Sequence, residues 1–516
     1  RQDFNFRNKN NSHLLKLGMD YYINDKNTLS AYTNQSFAYG DGTGTTTVIF
    51  DDPASNRNTN QFFGSSGGNK NQTYDVVYKH DFEKKDENLE LQVNYSHTEN
   101  DENTFYDETI FNPTESFERR NIVKGTTDYF QFNADYVNPL TESTKLELGV
   151  ETRIQNSSNG FNDINPSFTS ANNTFDFGRN IHSLYGNIGK QLGKWSGQMG
   201  LRMEYFDLEA NFGINETNPT LSDSQKVTDD IFTVYPSAFL TYTANDKNSF
   251  NFNYSRRVDR PSIGQISPIR EWTTPLLESR GNPELTPQFT NSFEVNYTRT
   301  TKIGAVTSGI FYRRISDEIS RVVFNDPNNP NRNILSYDNF DSNDAFGIET
   351  SGNLKFSKWW SVNASADMYF RTVKGTVQNA NTNALENAET DVTTFNVRVN
   401  NSFTATKDLR FQLFGMYRGK DRTLQFDREE MYRIDFGTTY NVLKGKGTIT
   451  ARFNDMFETM RFAFDGNIPY RQSGAFFWES QTVYLGFNYM FGGGKNRALA
   501  RKQRDANETS GGGGMF

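Results

Sequence analysis

Apolar residues two positions apart recur along almost the whole chain, and that period leaves few folds open. Val362, Ala364, Ala366, Met368 and Phe370 alternate with Asn363, Ser365, Asp367 and Tyr369. Leu89, Leu91, Val93 and Tyr95 alternate with Glu90, Gln92, Asn94 and Ser96. Successive side chains of a strand point to opposite faces, so each such stretch has one greasy and one polar side. Helical spacing is hard to find anywhere. The last repeat, "TVYLGFNYMF" (482–491), places Val483, Leu485, Phe487, Tyr489 and Phe491 on one face. It reads as the end of a closing strand over about 470–491, with a flexible polar tail at 492–516.

The connections narrow the choice further. Short polar turns fall at 24–27, 83–88, 138–144, 190–195, 244–248, 299–304, 357–360, 405–408 and 443–447. Between them lie mostly long stretches rich in Asn, Gly, Thr and aromatics, near 42–70, 102–125, 159–174, 214–229, 263–287 and 376–392. Shorter ones fall near 327–332, 425–428 and 466–470. A soluble sandwich has no reason to keep its tight turns at one end. A barrel in the bacterial outer membrane does, with short periplasmic turns, long external loops and closure that removes exposed edges. The pattern therefore predicts an all-β fold, a transmembrane antiparallel outer-membrane β-barrel over residues 1–491.

Nine short turns define eighteen strands from about Ser12 to Phe464, and the closing strand makes nineteen. A barrel with both ends in the periplasm needs an even number. "RQDFNFRN" at the start is too short for an extra strand, so the barrel reads as N-terminally incomplete, with twenty or twenty-two strands when whole. Twenty-two would leave a lumen wide enough to need a plug.

Composition agrees. Hydrophobic residues are only 34%, yet aromatics reach 15%, with 45 Phe and 25 Tyr. A disordered chain is poor in aromatics. With no Cys, disulfide frameworks and thiolate sites are excluded. A net charge of −8 gives no nucleic-acid footprint.

"YSRRVDRPSIGQISP" followed by "RGNPELTPQFTNSFEVNY" resembles the barrel of TonB-dependent receptors, in particular the large outer-membrane β-barrel family common in Bacteroidota. The matching residues are Ser255, Arg256, Arg260 and Pro261, then Gly281, Asn282, Pro283, Leu285 and Pro287, then Glu294. Gln288 stands where the family usually has glutamate. Pro283 and Pro287 cannot donate to a ladder and favour extended neighbours, so the segment reads as a structural signature. The resemblance implies active uptake of a scarce ligand: a metal chelate, vitamin, glycan or peptide. It also implies outer-membrane lipid and lipopolysaccharide as surroundings, and a TonB-type energy-coupling protein that acts through an N-terminal plug segment. A surface lipoprotein or other outer-membrane subunits are further possible partners.

Catalytic, cofactor and metal sites find no support. His13, His80, His97 and His182 are scattered, and "YGDGTGTTT" (39–47) lacks the strand-to-helix context of a phosphate loop. Asp338, Asp341 and Asp344 lack the glycine and bidentate glutamate of a calcium loop. The candidate ligand contacts are external-loop aromatics: Phe105, Tyr106, Phe111 and Phe117, then Phe161 and Phe168, then Trp272. Two functional readings follow, a TonB-dependent transporter or a non-transporting barrel subunit of a larger outer-membrane assembly. A soluble all-β adhesin is a third, weaker one.

Overall fold

A computed structural model describes residues 1–50, 58–111, 114–164, 171–214, 223–269, 271–274, 276–326, 332–379, 382, 384–469 and 471–491. Nine long strands open the chain: β1 (Gln2–Asn24), β2 (Asn27–Val48), β3 (Thr59–Asp81), β4 (Asn88–Ile110), β5 (Glu115–Thr141), β6 (Thr144–Ile164), β7 (Ala171–Leu192), β8 (Trp195–Ile214) and β9 (Asp223–Asn245). After β10 (Asn248–Asp259) come one helical turn, α1 (Ile263–Ile266), and the short strands β11 (Glu271–Thr274) and β12 (Leu277–Ser279). The wall resumes with β13 (Gln288–Thr301), β14 (Gly304–Asn325), β15 (Asn333–Lys355), β16 (Trp360–Gln378), β17 (Leu385–Thr404) and β18 (Leu409–Arg418). It ends with β21 (Met431–Val442), β22 (Gly447–Asn454) and β25 (Thr482–Tyr489). Inserted among these, β19 (Asp421–Arg422), β20 (Asp427–Arg428), β23 (Arg461–Gly466) and β24 (Gln472–Phe477) make a separate four-stranded sheet.

Among the described residues the large sheet has 21 strands; without the short β11 and β12, nineteen form the wall, as the turn count predicts. Wall neighbours pair antiparallel. Among the described residues β1 pairs only with β2, and β25 only with β22. All nine short turns join wall strands at one end. Turns of the same sequence use the same device: Asn24 Oδ1 accepts from the Lys26 amide, and Asn245 Oδ1 from the Lys247 amide, both at 3.0 Å. At the β13–β14 turn Gly304 has φ +140°, and a Cβ there would lie 2.0 Å from the Asn353 carbonyl oxygen.

The register aligns the apolar faces into rows. Phe252 pairs with Val295, Val295 with Ile310, Ile310 with Ile348, Ile348 with Met368, and Met368 with Phe395. All six side chains are exposed on the outer face. Aromatics lie at the lower margin, where Trp195, Tyr242, Phe250 and Tyr297 contact one another in turn. Tyr312 marks the upper margin, donating to Asp344 at 2.7 Å, with Arg314 beyond. From Leu354 up to Phe346 the outward stripe of β15 spans about the 9–11 residues that cross a bilayer.

The strands continue well past that stripe, since β1 to β9 are 20–27 residues long. This corrects the expected loops. Residues 42–48 and 59–70 lie on β2 and β3, with "YGDGTGTTT" wholly inside β2, and residues 102–110 and 115–125 lie on β4 and β5. Above the lipid no apolar face is needed, so alternation fades while the backbone ladder continues. Three more boundaries differ. "RQDFNFRN" belongs to β1, which begins ten residues earlier than expected. Phe464 lies on β23, outside the wall. The stretch 470–491 is two strands, β24 in the small sheet and β25 in the wall, with Phe491 beyond the strand.

The wall is low in two places: β10 and β13 have 12 and 14 residues, and β18, β21, β22 and β25 have 8–12. At each, the chain inserts a segment that packs on taller strands. Ile266, Ile269 and Leu285 of the 260–287 segment are buried against Phe161, Phe175, Phe177, Ala210 and Phe212 of β6, β7 and β8. Leu424, beside β19, joins Val322, Phe340, Val373 and Val377 of β14, β15 and β16. Each buried aliphatic side chain contributes on the order of 1.5–3 kcal/mol.

Candidate functional site

If the apolar stripe faces lipid, alternation puts the opposite residues in the lumen. On β6, β7 and β8 these are Glu151, Arg153, Ser183, Arg202 and Glu204. They form one network: Arg202 Nε donates to Glu204 at 2.6 Å, Arg202 also pairs with Glu151, and Ser183 Oγ donates to Glu204 at 3.1 Å. Arg260 enters from above, its Nη2 2.7 Å from Glu204 Oε2 and 3.2 Å from the Tyr235 hydroxyl. Its guanidinium carbon lies 4.9 Å from the Phe206 ring centre, a cation–π distance. Arg260 thus fixes the point where the chain leaves the wall.

The segment after it is clasped by backbone contacts. The Gly281 amide donates to Ser267 O at 2.7 Å and the Asn282 amide to Gln265 O at 2.6 Å. A Cβ on Gly281 would lie 2.5 Å from Gln265 O, so only glycine fits without movement. Asn282 Nδ2 donates to Tyr337 O at 3.1 Å, and Leu285 is buried in the apolar cluster. Arg256 stacks on Phe289 at 4.9 Å, and Glu294 accepts from Ser292 on the same strand. Pro261, Pro283 and Pro287 punctuate this non-ladder segment.

High on the wall a recess of about 360 Å³ is lined mostly on the outward face, by Phe105, Asp107, Glu118, Arg120 and Ile164, while Tyr106 and Arg119 reach it from the inner face. Arg119 donates to the buried Asp163 carboxylate at 2.7 Å through Nε. Burial, reinforced by the Glu102 charge, pushes the Tyr106 hydroxyl up to about 12.

The predicted aromatics do not converge. Phe105 and Tyr106 are adjacent on β4 and so face opposite sides: Tyr106 lies across from Arg119, and Phe105 is half exposed against Phe62. Phe111 is exposed just beyond β4, and Phe117 lies on β5 opposite Glu108. Phe161 is spent on the apolar cluster. Trp272 lies on β11, its backbone paired with Glu278, and Phe168 lies outside the described residues. Of the closing-strand residues, Phe487 and Tyr489 pair with Ile449 and Gly447 of β22. Asp338 and Asp344 share one face of β15 and Asp341 the other, so the three do not form a cage.

Sequence reasoning missed the lumenal Arg398 and Arg418. Arg398 lies three residues after the outward Phe395 and Arg418 two after the inward Met416, and alternation alone gives their face. It does not give the register that brings them together.

Solved structures share this fold at low identity. The siderophore receptor PiuA from Acinetobacter baumannii aligns at 14% identity and TM-score 0.59, over 94% of this chain and 80% of that one. The copper transporter OprC aligns at 11% and 0.59, over 95% and 80%. The ferric-catecholate import receptor Fiu from K12 E. coli aligns at 12% and 0.57, over 94% and 81%. No curated protein matches the sequence. Residues 80–489 match the outer membrane protein beta-barrel family, and the chain belongs to that family.

Proposed function

We propose that the chain is the barrel of an energised import receptor of the bacterial outer membrane, taking up a scarce ligand through its lumen. The observation that carries this reading is the lumen itself. The wall strands stand about twice as tall as the bilayer requires, and Arg153, Arg202, Glu151 and Glu204 give the inner face a network of charged groups. A purely structural barrel has no need of such a lining. The structural likeness to receptors named for siderophore and ferric-catecholate ligands, and to a copper transporter, supports a metal chelate ahead of a vitamin, glycan or peptide. Energy would come from a TonB-type protein at the periplasmic side. A surface lipoprotein or other outer-membrane subunits would meet the tall external rim.

The test is accumulation of radiolabelled ferric chelates by cells with and without the gene, each with and without a protonophore. Energised accumulation lost on deletion supports import. Equal accumulation in both strains, for every chelate tried, overturns it and leaves the assembly-subunit reading.

A further inference from the structure

A recess of about 390 Å³ lies on the inner face of β16, β17 and β18. It is lined by Asp367, Tyr369, Asn396, Arg398, Met416 and Arg418, all on the face opposite the outward Met368, Phe395 and Leu413. Arg398 and Arg418 are exposed to it and make no hydrogen bond or ion pair with any described residue. Three nearby carboxylates are already engaged, while Glu349 of β15 lies across from Asp367 on the same face. Asp367 accepts from Asn396 at 2.7 Å, Asp421 from Arg371 at 2.6 Å, and Asp435 faces Arg433 at 3.2 Å.

Beside this recess the small sheet brings in Arg428. Its side chain is about nine-tenths buried; Nη2 donates to Gly419 O at 2.9 Å, while Nη1 has no partner. Burial, together with the nearby Arg418 and Arg371, lowers its guanidinium below the ordinary value, Asp421 opposing. Two more buried polar atoms there lack partners, Arg371 Nε and Thr394 Oγ1. A buried guanidinium N–H left unsatisfied is costly, and a ligand, an ion or an ordered water supplies the acceptor.

We infer that Arg398, Arg418 and Arg428 form an oxyanion-binding subsite in the lumen, taking a carboxylate- or phosphate-bearing ligand. Guanidinium pairs hold such groups by charge-assisted, often bidentate hydrogen bonds. Asp367, beside the two free arginines, would disfavour a ligand that crowds it with negative charge, so the anion sits toward Arg418 and Arg428. This deepens the import reading by naming the chemistry of the cargo, and it rests on that reading only for the word cargo.

The experiment is calorimetric titration of the natural protein, extracted from outer membranes into a neutral detergent, with citrate in one arm and inorganic pyrophosphate in the other. Saturable binding by either probe is expected, weakening with salt. It should fall at least about tenfold in both Arg398→Gln and Arg418→Gln. Arg428→Gln should lower it as well, and Arg314→Gln, on the outer face, should leave it unchanged. Which arm binds tells carboxylate from phosphate. Absence of saturable binding in the natural protein, or equal binding in the arginine variants, overturns the subsite. Binding in micelles needs no energy coupling. A subsite that binds in cells showing no energised uptake would overturn the import reading alone.

Discussion

Arg260 and Glu204 meet at 2.7 Å with only 3% and 4% of their side chains exposed, one on the segment leaving β10 and the other on β8. The pair joins an excursion of the chain to the wall across 56 residues of sequence. Because Glu204 also holds Arg202 and Ser183, loss of Arg260 leaves a buried carboxylate with part of its partners gone.

Removing one member of a buried pair costs about 3–5 kcal/mol. Arg260→Ala should therefore lower the unfolding midpoint in detergent strongly. Arg260→Lys should fall between, keeping the charge but losing the planar stack on Phe206. Denaturant titration followed by heat-modifiable gel mobility measures both, and an alanine variant as stable as the parent refutes the anchoring role.

The outward row sets a second expectation. Ile348→Arg puts a charge in mid-stripe and should cost about 2–4 kcal/mol of folding into lipid vesicles. Ser351→Arg, on the opposite face of the same strand, should be nearly neutral. Equal costs for the two would mean that the faces are misassigned.

Gln425 is 4% exposed, and its amide accepts from the Val323 N–H at 2.8 Å and donates to the Val323 carbonyl at 2.9 Å. Above Ser316, β14 has no β13 beside it, and this side chain completes that free edge. Gln425→Ala should cost about 1–3 kcal/mol and speed hydrogen exchange at Val323. Unchanged exchange there would show that the bond pair is not holding the small sheet.

Gly281→Ala forces the clasp open, because the new methyl meets Gln265 O and Ser267 N within 2.6 Å. The cost is about 1–3 kcal/mol. Limited proteolysis should then cut within 260–287 while the wall stays intact. A variant as resistant as the parent would show that the clasp can give without opening.

Asp455 closes a turn at the top of β22. Its carboxylate accepts from Ser480 Oγ at 2.6 Å and from the Thr459 and Met460 amides at 3.0 Å each. Asp455→Ala should lower stability by about 1–3 kcal/mol, read as the unfolding midpoint in detergent. An unchanged midpoint would show that the turn closes without these bonds.

The wall was legible in the sequence wherever lipid writes on it. Val362 to Phe370 alternate because one face meets hydrocarbon, and both "NDKN" turns announce themselves through an asparagine that accepts from the backbone. The upper halves of β2 to β5 were not legible, since a strand wet on both faces has no period to detect. Nor was the grouping of Arg398, Arg418 and Arg428, because contacts across strands depend on register and on an insertion returning from the far side of β18. The ligand aromatics were read by residue type alone. Type does not distinguish Phe161, which packs, from Tyr106, which faces a recess.

The two inserted segments have a consequence for the order in which the molecule assembles. Each hairpin of the wall joins neighbours in sequence and can form early. The seats for the insertions are different: Ile266 needs Phe161 and Phe175 in place, and Gln425 needs a partner 102 residues upstream. Long closures of this kind come late, after the wall has brought the distant strands together. During insertion into the membrane the lumen therefore passes through a stage that is walled but unfurnished. Its greasy patch at Phe175 and Phe212 stays open to water until the 260–287 segment settles.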